Sequence, residues 1–196
     1  MRTYCVDFDD LYDEIADRSL GHLLALKEKY PAFACTLFTI PDRTSDETIA
    51  KFKPYPWIAL APHGWRHTRG ECLAWPAHEA EAKILLARER GINAPVFRAP
   101  GWLINRATYE ACRDLDIVVA DHSENFLAVP GTKVYRYNDP AWRANDVTPV
   151  HGHLTDCAVD NFIENMLADS RLSFADKAEF VQPWEACKEV WVETPV

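Results

Sequence analysis

Two histidines four residues apart, His63 and His67, frame the segment His63-Gly64-Trp65-Arg66-His67. On a helical turn both imidazoles would share one face, with Cβ atoms about 5–6 Å apart, and so offer two nitrogens to one metal ion. Seven histidines in 196 residues give roughly 0.25 such pairs per chain by chance, so the spacing carries little alone. It gains weight from position, because the pair follows an apolar run through Pro62. Asp9 and Asp10 close another apolar run. Adjacent carboxylates repel unless a cation or an arginine compensates them; one can then bind metal while the other stays free as a base. The competing use of either Asp is to cap the helix that follows.

The other chemically apt residues also fall at expected strand ends. Arg98 opens Arg98-Ala99-Pro100-Gly101 and places a permanent cation there, to hold Asp9 ionised or to form a structural ion pair. Backbone N–H groups in the Gly101 turn are suited to an oxyanion. His151 and His153 are two residues apart, so their rings project to one side of a strand. Either is a candidate general acid, with a solvent-facing loop as the plainer reading of His153. Asp121 is placed to orient a catalytic histidine or simply to cap a turn. Trp65, Trp75 and Trp102 flank these motifs, as sugar platforms or as wall packing.

Alternating strand and helix signals must position these groups. Strands are expected at 4–8, 33–39, 57–61, 96–98, 117–120, 133–137, 147–150 and 179–182, with helices at 19–29, 44–51, 77–90, 105–114, 160–168 and near the C-terminus. Pro76 and Gly91 bracket the 77–90 helix. Such alternation implies an α/β fold with a parallel sheet and helices outside it, in which one rim collects the strand ends. No repeat or linker divides residues 1–196, so a single domain is expected.

Composition sets limits. The formal charge of −9 argues against a nucleic-acid backbone as partner, which needs clustered Lys and Arg. No stretch approaches the roughly 18–20 apolar residues that would cross a membrane. The start of the chain lacks the features of a signal peptide, and six scattered cysteines without a Cys-x-x-Cys pair read as buried thiols in a reducing cytoplasm. Oligomeric state is left open.

Taken in order over roughly residues 4–156, these segments resemble the polysaccharide deacetylase family of carbohydrate esterases, which includes chitin and peptidoglycan deacetylases. Phe8-Asp9-Asp10 is similar to its first motif, 34–38 to the following strand, 63–67 to its histidine motif, Arg98 to Gly101 to its arginine-proline motif, and 147–151 to its last. The resemblance implies a distorted, TIM-like (β/α) barrel of about seven parallel strands, with a divalent metal, zinc foremost, on Asp10, His63 and His67. It further implies Asp9 as base, Arg98 orienting Asp9, His151 as general acid, and an N-acetylated saccharide or a related small amide as substrate. The chain departs from the family at Leu11, where Gly is usual, at Asp121, around which the Asp-x-x-Asp-Trp motif is missing, and in having His153. Asp7-Phe8-Asp9 also resembles the nucleophile motif of haloacid dehalogenase phosphatases, with Asp7 attacking phosphate and Asp9 as acid/base. The non-enzymatic alternative is a deacetylase-like domain that binds a glycan without turnover.

Overall fold

A computed structural model describes residues 2–122, 129–137, 147–155 and 178–189. Alternation along the first strand, β1 (Arg2–Leu11), organises the molecule. Tyr4, Val6 and Phe8 point to a cluster with Ile15, Leu23 and Leu26 of helix α1 (Asp13–Lys29). Cys5 points the other way, into a cluster with Phe38, Ala61, Val96, Val118, Ala120 and Tyr135. The period of two therefore sends Asp7 and Asp9 into the same interior as Cys5.

The remaining elements are strand β2 (Cys35–Thr39), helix α2 (Asp46–Phe52), strand β3 (Ile58–Pro62), the short helix α3 (Glu71–Ala74), helix α4 (Ala77–Arg90), strand β4 (Val96–Phe97), helix α5 (Arg106–Asp114) and strands β5 (Val118–Asp121), β6 (Lys133–Arg136), β7 (Thr148–His153), β8 (Ala178–Val181) and β9 (Lys188–Glu189). One sheet runs β3-β2-β1-β7, with β8 also on β1; the other runs β4-β5-β6-β9. All pairings are parallel except β6 with β9. A bridge between His63 and Arg98 joins the sheets, so two site residues lie on the seam of a distorted barrel. Helices α4 and α5 pack against the second sheet through Ile84, Tyr109 and Cys112, which share a core with Phe97 and Val119. This is the expected α/β barrel of about seven strands, β1–β7, to which the tail adds β8 and the antiparallel β9.

Several boundaries differ from expectation. Helix α1 starts at Asp13, not 19. Ile15 continues the apolar stripe of Leu23 and Leu26 backwards, but Asp13, Glu14, Asp17 and Arg18 dilute that stripe in sequence. Strand β7 runs on past 150 to His153, so His151 and His153 close the strand, in keeping with their two-residue spacing. Gly91 ends α4 with φ 104, as a left-handed cap favours. The expected helix at 160–168 and the end of the chain after 189 lie outside the described residues. No helix among the described residues is long and apolar enough to cross a membrane.

Candidate active site

Side chains of neighbouring strand residues normally point to opposite faces, yet Asp9 and Asp10 both reach the same site. The register explains it: Phe8 pairs with Leu37 and Leu11 with Thr39, so β1 carries one residue more than β2 across this stretch. Asp10 takes φ 70, and the bulge re-aims its carboxylate. Asp10, His67 and Trp102 are three of the four non-glycine residues with positive φ among those described. Such conformations cost roughly 1–3 kcal/mol each and persist where surrounding structure over-determines them.

Arg98 sits at the centre, fully buried between the rings of Phe38 (3.9 Å) and Trp102 (4.4 Å). Its Nη1 donates to Asp7 Oδ1 at 2.6 Å and to Asp9 Oδ1 at 2.7 Å. Burial opposes the Asp7 charge, but the Arg98 guanidinium and then His151 outweigh it and hold the Asp7 carboxyl at about 2. The Arg98 carbonyl accepts from Gly64 N–H and lies 3.1 Å from His63 Nδ1. With Nδ1 protonated toward that carbonyl, His63 Nε2 is left with its lone pair facing the site.

The segment 63–67 is not a helical turn, and the expected i, i+4 face does not exist. It is an irregular loop in which Gly64 has φ 61 and His67 φ 63. One carboxylate shapes it: Glu71 Oε1 accepts from the N–H groups of Trp65 and His67 at 3.0 Å, and Oε2 from Arg66 at 3.1 Å. A Cβ at position 64 would lie 2.2 Å from Glu71 Oε1 and 2.7 Å from Pro100. The folded loop still brings the two imidazoles together, with ring centroids 4.8 Å apart.

His67 Nε2 lies 2.9 Å and His63 Nε2 3.6 Å from Asp10 Oδ1. The other Asp10 oxygen is held by His153 Nδ1 at 3.0 Å and by the Thr155 hydroxyl at 3.2 Å. Burial raises the Asp10 carboxyl, but the hydrogen bonds from His153 and then His67 take it well below the usual carboxylate range. Burial, helped by His67 and Arg98, lowers His63 and keeps it neutral, whereas the Asp10 contact raises His67.

These residues fit a divalent cation. Asp10 Oδ1 is buried, faces Nε2 of both His63 and His67, and shares a space under 4.8 Å across with one nitrogen of each. Two imidazoles and a carboxylate form a donor set suited to zinc and similar ions. Asp7, Asp9 and Asp10 against Arg98 leave two negative charges, the complement of one dication. A second grouping, Asp9 with His151 and His153, is less suited, because Arg98 Nη1 lies 2.7 Å from Asp9 and 3.2 Å from His151.

Strand register carries the last components. Asp7 pairs with His151 and Asp9 with His153 across β1 and β7. His151 Nδ1 lies 2.6 Å from Asp7 Oδ1, and its Nε2 3.8 Å from Asp9 Oδ2. Asp9 Oδ2 also lies 3.6 Å from His63 Nε2. Asp9, Asp10, His63, His67, Arg98, His151 and His153 thus converge. Gly101 lines a cavity of about 370 Å³ beside His67, with Arg69, Pro100 and Leu103.

Asp121 does not take the role considered for it. Its carboxylate accepts from the Tyr109 hydroxyl and the His122 N–H, and Asp7 is the carboxylate on His151. Nor does Asp7 suit phosphate attack: it is fully buried, with Oδ1 engaged by Arg98 and His151. Trp75 is core rather than a sugar platform, and Trp102 stacks on Arg98. Sequence reasoning considered Asp7 only as a phosphatase nucleophile and overlooked Glu71 and Thr155 as parts of the site. An acidic residue in the apolar run of β1 was the available signal for Asp7; Glu71 and Thr155 gave none.

No family model matches the sequence, and comparison with curated proteins gives no match either. Solved structures show the fold: the chain has the distorted barrel seen in family 4 carbohydrate esterases. A family 4 acetyl xylan esterase from Clostridium thermocellum, in complex with cobalt, is similar at TM-score 0.63 and 16% sequence identity, over 94% of this chain and 89% of that one. A peptidoglycan N-acetylglucosamine deacetylase aligns at TM-score 0.58 and 13% identity, over 92% and 85% of the two chains. A family 4 pseudoenzyme from Bacillus anthracis aligns at TM-score 0.59 and 8% identity, over 92% of this chain and 63% of that one.

Proposed function

We propose that this chain is a metal-dependent hydrolase that removes acetyl groups from N-acetylated sugars or a related non-peptide amide. The observation that carries this reading is the convergence of Asp10 Oδ1 with a nitrogen from each of His63 and His67, beside Asp9 Oδ2 and His151 Nε2. Asp10, His63 and His67 hold the cation, zinc foremost. A bound divalent cation acidifies water and polarises a carbonyl.

The chain's own groups divide the proton work. Arg98 fixes Asp9 Oδ1, so Oδ2 is the oxygen that takes a proton from the attacking water. As the new C–O bond forms, the developing oxyanion lies toward the Gly101 turn. His151 Nε2 then gives a proton to the amine as the C–N bond breaks, yielding acetate and a free amine. The likeness to an acetyl xylan esterase and an N-acetylglucosamine deacetylase supports removal of acetyl from a sugar. The fold alone does not require turnover, since a pseudoenzyme shares it; the complete set of base, acid and cation-binding groups favours turnover here.

In this reading residues 1–196 form one catalytic domain, with no nucleic-acid or membrane partner. Cys5, Cys35, Cys72 and Cys112 are buried thiols, and we place the activity in the reducing cytoplasm. The test is release of acetate and amine from N-acetylated chito-oligosaccharides with Zn²⁺ supplied. Asp9→Asn is expected to lose about 10²–10⁴-fold in kcat; full activity in that variant would overturn the assignment.

A further inference from the structure

A carboxylate in the barrel interior needs a reason, because burying a charge is costly unless it is paired. Asp7 is fully buried, and holding Arg98 does not explain it, since Asp9 already pairs with the same Nη1. Its second partner is His151. An Arg Nη1 carries two hydrogens, and Asp7 Oδ1 and Asp9 Oδ1, at 2.6 and 2.7 Å, account for both. The 3.2 Å approach of Nη1 to His151 Nδ1 is then not a hydrogen bond. The 2.6 Å contact between Nδ1 and Asp7 Oδ1 requires a proton, and Nδ1 must carry it.

We infer that Asp7 is a positioning residue for His151, holding the ring as the Nδ1–H tautomer so that Nε2 alone exchanges a proton with the substrate. The register supports this directly, since Asp7 and His151 are neighbours on β1 and β7, and the ring is steadied by Trp102 and Tyr137 with centroids 5.4 and 5.1 Å away. Proton accounting closes: the doubly protonated ring gives its Nε2 proton to the leaving amine and ends neutral, still hydrogen-bonded to Asp7 through Nδ1. Without Asp7 either nitrogen can hold the last proton, and the fraction of rings ready for the next turnover falls. This role rests on His151 acting as the general acid.

Two measurements on the full chain with Zn²⁺ supplied separate this inference from the function itself. Nitrogen-15 NMR of the neutral His151 ring should show a protonated Nδ1 and a bare Nε2; the opposite tautomer overturns the inference whatever the protein hydrolyses. Kinetics of Asp7→Asn and Asp7→Leu are then compared on an N-acetylated chito-oligosaccharide and on 4-nitrophenyl acetate, whose leaving group needs no proton. The expected result is a loss of about 10²-fold in kcat on the amide, with KM within about 3-fold, and less than about 5-fold loss on the ester. Equal losses on both substrates, or none on the amide, would refute it. A wild-type chain inactive on both substrates would refute the deacetylase reading while leaving the tautomer result to decide the Asp7–His151 pairing.

Discussion

Arg98→Met removes the cation but keeps an unbranched side chain between Phe38 and Trp102. The structure gives the size of the effect. Two buried carboxylates lose a partner at 2.6 and 2.7 Å, and breaking a buried ion pair from one side costs about 3–5 kcal/mol. Asp7 adds a related figure, the net of burial, Arg98 and His151. Its displacement from 3.8 to about 2, at about 1.4 kcal/mol per pH unit, corresponds to roughly 2.5 kcal/mol. A depressed carboxyl contributes stability above its ordinary value and loses it as pH falls through the folded value. In the wild type the Asp7 contribution is therefore intact at neutral pH and disappears only toward about pH 2. In the variant only the His151 contact still opposes burial, Asp7 shifts toward its protonated form, and the penalty grows as pH rises above about 4. Urea unfolding with EDTA present should show a loss of about 3–5 kcal/mol near pH 7, shrinking by at least about 1 kcal/mol near pH 4.5. A loss below about 1 kcal/mol, or one equal at both pH values, would show that the Arg98 pairs do not carry the charge balance described.

Glu71→Ala removes the carboxylate that gathers three N–H groups of the histidine loop, and zinc affinity should fall about 10–100-fold by competition with a chelating dye; unchanged affinity would mean the loop holds itself. Gly64→Ala combines a left-handed φ, costing about 1–2 kcal/mol, with a 2.2 Å approach to Glu71 Oε1. It should lower Tm and zinc affinity together, and a variant matching wild type in both would contradict the close packing. Tyr109→Phe leaves buried Asp121 short of one donor. Stability should drop about 1–3 kcal/mol in urea with zinc affinity unaltered, and a weakened metal site would show that Asp121 belongs to the active site after all.

Residue types and order made much of the site legible. Asp9, Asp10, His63, His67, Arg98 and His151 stood out because polar groups follow apolar strand-length runs, and the barrel does collect those positions. The geometry that unites them was not legible. Nothing in Phe8-Asp9-Asp10-Leu11 announces a bulge, which depends on the register against β2. The His63–His67 spacing suggested a helix, whereas the rings meet because Gly64 and Glu71 fold a loop. Asp7 takes the histidine-orienting place considered for Asp121 for a topological reason. Cross-strand register places Asp7 beside His151, while Asp121, on the other sheet, is occupied by Tyr109 from α5.

The central claim is that Asp10, His63 and His67 hold one catalytic cation. Metal-free protein titrated with Zn²⁺, assayed for acetate release from an N-acetylated chito-oligosaccharide, tests it most directly. Activity should rise to a plateau near about one equivalent, vanish on chelation, and be missing with the bound metal in Asp10→Asn. Full acetate release by metal-free protein, or by an Asp10→Asn variant with wild-type metal content, would contradict the account.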